Sequence, residues 1–453
     1  MNLDRELYKK FKFIISFFTN TFLFMKKFLI WIVAVFAVCN IEAQTARQQI
    51  EQNRFLCASN YLDYDNYPAC DNLTKTPKGY EMFYLSHYGR HGSRWLLSEN
   101  DYMNVIRPLR KAKDEDKLSS AGEELLEKLE LFYPTTINRL GDLTTVGERQ
   151  HHGIGKRMTQ HFPELFKTKN LMVDARSTVV IRCILSMTAE CEEISAFNPS
   201  ARIHNDVSES LQYYLNAPWR GLVRANGGKG NDVIDRYKEQ LTHPERLMSV
   251  IFNDTEWPKN NIREKSFMRG LFEVATNMQS HDQFEELLDL FTAEECYDLW
   301  RIRNIDWYIH YGPAPVSGSV MPFSQRNLLK NIIETADTVT QKQVTLRFGH
   351  EVCVMPLACL LELGNCGAEV ENLDTLDNVW RNYDIFPMAC NVQLAFYRPK
   401  KGKKGDILVK ALLNEREMTM PVKTDNFPYY KWEDVRKYYL DKIEKYDKMN
   451  AQL

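Results

Sequence analysis

The chain is 453 residues long, 44% hydrophobic and 26% charged, with 20 glycines and 17 prolines, a composition that excludes collagen-like, low-complexity and disordered chains. Its length allows two or three units of roughly 150 residues, or one large α/β domain carrying an insertion. A formal charge of −2 lacks the basic surplus of nucleic-acid binders, so a polyanionic ligand would need a local basic pocket.

In chain order the first feature is a leader. Met25-Lys26-Lys27 opens an apolar run from Phe28 to Val38, the charged and hydrophobic regions of a secretory signal peptide with cleavage after Ala43. Met25 then reads as the true start, and residues 1–24 as an over-extended beginning. The apolar run is too short to cross a bilayer core, which takes about 20 residues. Cys39 follows Val38, where a lipid-anchoring site takes a small residue. The mature chain is therefore expected to be secreted or periplasmic, without a membrane span. Removing the six basic and three acidic residues of the first 43 leaves 52 against 57, a mature charge of −5, and nine cysteines. Cys57 and Cys70 are near enough in sequence to pair in an exported protein. Cys183, Cys353 and Cys359 fall in apolar or helical stretches and read as core. No C-x-x-C or His/Cys spacing suggests zinc, and neither a metal nor another cofactor is expected.

Tyr80 to Ser86 is a β-prone run ending in the polar cluster His87 to Arg94, so the cluster lies beyond a strand's carboxyl end, where open α/β sheets bind ligands. Leu118 to Phe132 is helical in pattern, and Asp142 to Glu148 opens another helix that carries His151 and His152 to about Phe162. Met172 to Ala175 reads as a strand, followed by Arg176-Ser177-Thr178 and a helix from about Val179 to Ala196. Residues 199–331 read as an inserted, mostly helical cap between two parts of an α/β core, 44–198 and 332–453. Within it, Asn226 to Gly230 lacks the spacing and preceding strand of a phosphate loop. Val344 to Phe348 returns to strand character. His350 and Glu351 then open a helix through Leu363 that Gly364 stops. Val392 to Tyr397 and Ile407 to Leu413 are strands joined by the lysine-rich tip Arg398 to Gly405.

Arg90-His91-Gly92-Ser93-Arg94 sets one imidazole between two guanidinium groups, with a glycine that lets backbone approach a ligand. Arginine cannot lose its proton at working pH and offers a planar fork to phosphate oxygens, so such a cluster suits phosphoryl chemistry with a neutral histidine as nucleophile. The sequence resembles the histidine acid phosphatases, the second branch of the histidine phosphatase superfamily, whose signature is R-H-G-x-R. Leu346 to Glu351 with Met355-Pro356-Leu357 looks like the strand, catalytic histidine and helix of the multiple inositol polyphosphate phosphatases in that branch. Arg182-Cys183-Ile184-Leu185-Ser186 is similar to the family's R-x-x-x-S block, and Asp142-Leu143-Thr144 with Gly147 and Gly155 to its L-T-x-x-G helix. Ile407 to Leu413, running into Asn414-Glu415, is similar to its late strand. The resemblance covers most of residues 75–450 and is weakest across the insert.

That resemblance implies a phosphoglycerate-mutase-like mixed sheet flanked by helices. It also implies His91 as nucleophile, and Arg90, Arg94, Arg182 and His350 as phosphate ligands. The acid after His350 would be the proton donor. Here the chain departs from the family, which has His-Asp in general and His-Ala-Glu in the inositol polyphosphate group; this chain has His350-Glu351-Val352. Glu351 is assigned as donor, its extra methylene extending its reach. The expected protein is an exported, metal-independent phosphomonoesterase acting on inositol polyphosphates such as phytate. A broad-specificity or sugar-phosphate acid phosphatase is the alternative among hydrolases. A mutase or phosphotransferase is a third possibility, and a non-catalytic phosphoester-binding protein the alternative from another class. Arg176 either lines the pocket or pairs with an acid, His151 and His152 read as structural, and His87 and His310 carry no role.

Overall fold

A computed structural model describes residues 44–450, apart from 67–71, 217–221, 223–225, 227 and 283–286. The expected leader with Cys39 lies outside the described residues, and so does Cys70. From Gln49 onward the chain forms one body. Among the described residues eight strands build a single mixed sheet: β1 (Tyr80–Arg90), β2 (Met172–Ser177), β3 (Arg202–Asp206), β4 (Gln343–Gly349), β5 (Asn391–Pro399), β6 (Leu408–Leu413), β7 (Arg416–Met418) and β8 (Tyr430–Lys431). Their order is β3-β2-β4-β1-β5-β6-β7, with β8 on β6. The first four in that order run parallel, and β5, β6 and β7 add on antiparallel.

Alternation along β1 sends Tyr84 and Tyr88 to one apolar core and Leu85, with Met82 across a bulge, to the other. The second core is closed by α3 (Thr145–His161) and α4 (Ile181–Phe197), which pack on each other. The first is closed by α8 (Arg326–Thr338), α9 (Glu351–Leu360) and α10 (Trp432–Asn450). β1 runs four residues beyond Ser86, because His87 and Arg90 are buried polar residues that a hydrophobic pattern cannot extend through. α9 ends at Leu360, and Gly364, in the left-handed region at φ +55°, lies in the turn after it.

β3, which sequence patterning does not reveal, extends the sheet past residue 199 as a parallel edge strand on β2. Most of the chain between β3 and β4 is helical. It includes α5 (Glu245–Ile251), α6 (Glu264–Asn277) and α7 (Ala293–Tyr311). Two earlier helices join them: α1 (Glu99–Asp114), started by a Ser98/Asp101 capping box, packs on α6, and α2 (Ser120–Phe132), capped by Ser119, packs on α5. Among the described residues no helix is long and apolar enough to cross a membrane.

The loop after β1 is pinned to the start of α3. Thr144 caps that helix by accepting from Gly147 N (3.2 Å), and its own backbone N–H and hydroxyl both donate to Ser93 O (2.9 and 3.1 Å). A Cβ on Gly92 would meet Gly147 O at 2.3 Å, and one on Gly147 would meet Ser93 O at 2.3 Å. Both obstacles are backbone, which no rotamer change relieves. Gly92→Ala and Gly147→Ala are each expected to destabilise by about 1–3 kcal/mol, read as a lowered Tm. Wild-type melting of both variants would refute this contact.

Candidate active site

Parallel pairing of β1 with β4 puts Arg90 opposite Gly349, and His91 N donates to Gly349 O at 3.0 Å. The two strand ends therefore deliver His91 and His350 side by side, their rings edge to face with centroids 5.5 Å apart. His350 is the N-cap residue of α9 in extended backbone (φ −129°, ψ 163°), and Glu351 is the helix's first residue. β2 ends on the same side of the sheet, and the segment after it leads into α4, whose first turn carries Arg182.

Arg90 is fully buried. Its Nη1 donates to three carbonyls, Asn60 O (2.6 Å), Phe386 O and Pro387 O (3.2 Å each), while Nε lies 3.1 Å from Glu351 Oε2. Arg94, also buried, donates from Nη1 to Trp95 O (2.9 Å) and stacks its guanidinium 5.5 Å from the Tyr61 ring centroid. Arg182 is half-buried and donates from Nη1 to Gly141 O (3.2 Å). Arg90 Nη2, Arg94 Nε and Arg182 Nε are buried donors without a hydrogen-bond partner among the described residues. Unsatisfied buried N–H groups of this kind mark a place for an acceptor.

His91 Nδ1 lies 2.9 Å from Gly92 O. A carbonyl only accepts, so the hydrogen bond to Gly92 O selects the tautomer with the proton on Nδ1, which in the neutral ring leaves the lone pair on Nε2. Nε2 faces Glu351 Oε2 at 3.5 Å. Burial holds the His91 pKa well below the usual histidine range, with Arg182 and Arg90 lowering it further and Glu351 opposing. Burial likewise lowers His350 to about 4, the three arginines adding to it. Burial pushes Glu351 up, yet Arg90, His91 and Arg94 outweigh it and hold the carboxyl well below the ordinary glutamate value. All six expected site residues, Arg90, His91, Arg94, Arg182, His350 and Glu351, thus fall within electrostatic reach of one another.

Other polar residues support this group. Ser186, one turn along α4 from Arg182, accepts from Gly92 N (3.1 Å) and donates to Arg182 O (2.8 Å). Gln150 accepts from Ser93 N (2.9 Å) and donates to Ser93 Oγ (2.9 Å). His151 bonds through Nδ1 to Glu190 (2.8 Å), and His87 lies 4.0 Å from the same carboxylate; all three are fully buried beside Phe348. His152 pairs with Glu193 and His310 with Asp306, both outside the site. Arg176 is taken up by Asp174 and Tyr214. Arg347 braces Ser86, Asn331 and Thr335 inside the fold. Cys183, Cys353 and Cys359 are buried, and the Cys183 thiol lies 3.8 Å from His350 Nε2. Ser186 is the serine of the R-x-x-x-S block noted in the sequence, whereas Gln150 could not be singled out without a partner to aim at, because an isolated glutamine on a helix is ordinarily a surface residue.

His91, His350 and Glu351 also offer three ligand atoms within 4.8 Å of one another, a spacing a metal ion could bridge. Three guanidinium groups border them, so the local charge suits an anion better than a cation.

The buried imidazoles have a consequence for stability. His91 and His350, with His87 and His281 (the last lowered to about 4), all have folded-state pKa values depressed chiefly by burial. Below the unfolded value of about 6.5 the unfolded chain takes up protons that the folded chain refuses. Stability is then complete above that pH and falls as the pH drops towards 4. His350 alone contributes at most about 3 kcal/mol to that fall. Thermal melts of the ligand-free protein are expected to show Tm declining from pH 7 to pH 4, with Glu351 adding a further loss below its ordinary value. Asp384, whose carboxyl burial raises to about 6, acts in the opposite sense over part of that range, so the imidazole contribution is read as the difference between wild type and His350→Gln; equal Tm declines in the two proteins would contradict a neutral buried His350.

No protein-family model matches the sequence, and no curated protein matches it. Solved structures do. The multiple inositol polyphosphate phosphatase of Bifidobacterium longum, in complex with inositol hexasulfate, is similar with a TM-score of 0.70 at 17% identity, covering 85% of this chain and 97% of that one. The phytase from D. castellii gives a TM-score of 0.66 at 15% identity, covering 89% of each chain. The Hafnia alvei phytase in complex with myo-inositol hexakis sulphate gives 0.53 at 11% identity, covering 81% and 98%. The mixed α/β sheet with its surrounding helices is therefore the histidine acid phosphatase fold, matched over most of the chain.

Proposed function

We propose that the protein is an exported phosphomonoesterase that hydrolyses inositol polyphosphates such as phytate through a phosphohistidine on His91, without a metal. The observation that carries this reading is a neutral imidazole whose free Nε2 faces the zone bounded by Arg90, Arg94, Arg182, His350 and Glu351. Fixed guanidinium donors stabilise the negative charge of a phosphoryl group in transfer, the part a metal plays in other phosphatases. The likeness to structures holding inositol hexasulfate supports a multiply charged inositol as ligand. The helices between β3 and β4, with α1 and α2, are assigned the role of a specificity cap; Asn277 at the end of α6 donates to Arg94 O (3.1 Å).

In the first step Nε2 attacks phosphorus, the P–O bond to the inositol breaks, and protonated Glu351 gives its proton to the leaving oxygen. Glu351 is ionised beside the arginines when no anion is bound. A phosphate dianion offsets those charges and raises the carboxyl's proton affinity. In the second step the resulting carboxylate takes a proton from water, whose oxygen attacks phosphorus and releases inorganic phosphate and neutral His91. Because His91 resists protonation, the nucleophile stays competent well below pH 6.5.

The test is phosphate release from phytate, a sugar phosphate and an aryl phosphate across pH 3–8 with EDTA present. Preference for phytate supports the inositol reading, and equal rates favour the broad acid phosphatase. His91→Ala is expected to lower kcat on the order of 10⁴-fold or more, and Glu351→Gln about 10²–10⁴-fold. Surviving activity in His91→Ala would overturn the phosphohistidine. Tight binding of inositol phosphates without release would favour the non-catalytic binder.

A further inference from the structure

The short 3-10 segment Arg54–Tyr61 ends against two of the site arginines. Asn60 O accepts from Arg90 Nη1 (2.6 Å), and the Tyr61 ring receives Arg94, whose Cζ is 5.5 Å from the ring centroid. Tyr61 is buried, and a second guanidinium lies over the same ring: that of Arg303 on α7, its Cζ 5.8 Å from the centroid.

Helix α6 holds Arg303 in place. Glu273 forms an ion pair with Arg303 Nη2, Thr276 Oγ1 accepts from Nη1 (3.0 Å), and Cζ lies 4.7 Å from the Phe272 ring centroid. Asn277, the last residue of α6, donates from Nδ2 to Arg94 O (3.1 Å). Just beyond it, Gln279 donates to Phe55 O (3.1 Å) and accepts from Asp63 N (3.1 Å), so the stretch that carries Tyr61 is gripped on both sides. The main chain and the guanidinium of Arg94 are thus both referred to the last turn of α6, the first directly through Asn277 and the second through Tyr61 and Arg303.

This arrangement suits a support and not a reacting group. Burial, with the Glu273 charge adding to it, pushes the Tyr61 phenol above its ordinary pKa, so the ring stays neutral. A cation is attracted to a neutral aromatic face without using an N–H for the contact. Arg94 Nη1 is taken by Trp95 O, while the buried Nε has no partner among the described residues. Glu273 balances the charge of Arg303, so the second guanidinium braces the ring without leaving an unpaired positive charge behind Arg94.

We propose that Tyr61 is the positioning residue for Arg94: braced by the Glu273–Arg303 pair of the helices between β3 and β4, its ring keeps the Arg94 guanidinium seated to receive the phosphoryl oxygens. The inference rests on the phosphatase reading for the part that Arg94 plays. A guanidinium loosened from its seat must be ordered again each time an anion arrives. Loss of the ring therefore weakens phosphate binding and lowers turnover together, and it does so for every phosphomonoester, because the transferred group is common to all of them.

The test measures affinity for inorganic phosphate, from the rise of Tm with phosphate concentration, in wild type, Tyr61→Phe, Tyr61→Leu and the paired variant Glu273→Gln/Arg303→Met. Turnover of phytate and of an aryl phosphate is followed beside it. Tyr61→Leu is expected to bind phosphate roughly tenfold more weakly and to lose kcat/KM on both esters by at least that factor, whereas Tyr61→Phe, which keeps the ring, stays within about twofold of wild type. The paired variant keeps Tyr61 but removes its brace, and its phosphate affinity is expected to fall several-fold. A lesion of packing alone would lower the ligand-free Tm without moving phosphate affinity. Wild-type phosphate affinity in Tyr61→Leu, or in the paired variant if Tyr61→Leu does not fold, overturns the positioning role, as does a Tyr61→Phe as weak as Tyr61→Leu. Phosphate that fails to bind the wild type would instead overturn the anion pocket, and the phosphatase reading with it.

Discussion

Three guanidinium groups meet at the site, Arg90 and Arg94 buried and Arg182 half-buried, and none of them can escape by giving up a proton. Burying such charges costs free energy unless acceptors replace the lost water. The fold answers with backbone. Arg90 takes carbonyls from Asn60, Phe386 and Pro387, Arg94 takes Trp95 O and the face of Tyr61, and Arg182 takes Gly141 O. Among the described residues Glu351 alone pairs its charge with Arg90. Positive charge remains in excess. Burial, reinforced by that excess, keeps His91 and His350 neutral; the excess keeps Glu351 ionised; and several N–H donors point at no acceptor among the described residues.

The sheet makes this concentration of charge possible. Parallel strands send their carboxyl ends to one edge, so β1 and β4 bring residues 90–94 and 350–351 together although more than half the chain separates them. Antiparallel β5 then closes the far flank of β1, and the chain just before it supplies two of the three carbonyls on Arg90. Gly92 and Gly147 let the loop after β1 lie directly on the start of α3. Neither helix α3 nor α4 touches the chemistry with more than one or two side chains, yet Ser186 and Gln150 tie down the backbone of Gly92 and Ser93.

The charged side chains of the site were legible in the sequence because each sits in a short motif whose residue types have one strong chemical use. Arg90-His91-Gly92-Ser93-Arg94 and His350-Glu351 are of this kind, and the strand that precedes each is apolar enough to locate. What holds them was not legible. Carbonyls of Asn60, Phe386 and Pro387 are present on every residue and carry no signal of their own. β1 continues to Arg90 through His87 and Gly89, which no hydrophobic alternation extends to. α1 contains Pro108 and many charged residues, and its apolar stripe, Tyr102, Val105, Ile106 and Leu109, shows only once α6 is there to cover it. Arg176 and Arg347 look as suited to phosphate as Arg182; only the partners they find, Asp174 and Tyr214 for one and Ser86, Asn331 and Thr335 for the other, remove them from the site.

The departure from both family patterns after His350 acquires a physical meaning in this setting. Glu351 begins α9, so its backbone is fixed by the helix while its side chain reaches back to Arg90 and towards His91 Nε2. In that position the carboxylate occupies Arg90 Nε, while Arg90 Nη2 has no partner among the described residues. On the proposed mechanism it must vacate Arg90 when the anion arrives and still remain near the leaving oxygen. An aspartate at this point would have to move its backbone to do both, whereas glutamate has an additional rotatable bond and can swing while α9 stays still. On that proposed mechanism the extra methylene substitutes side-chain motion for main-chain motion, and the helix that carries the proposed donor stays locked into the apolar core by Cys353, Val354 and Leu357.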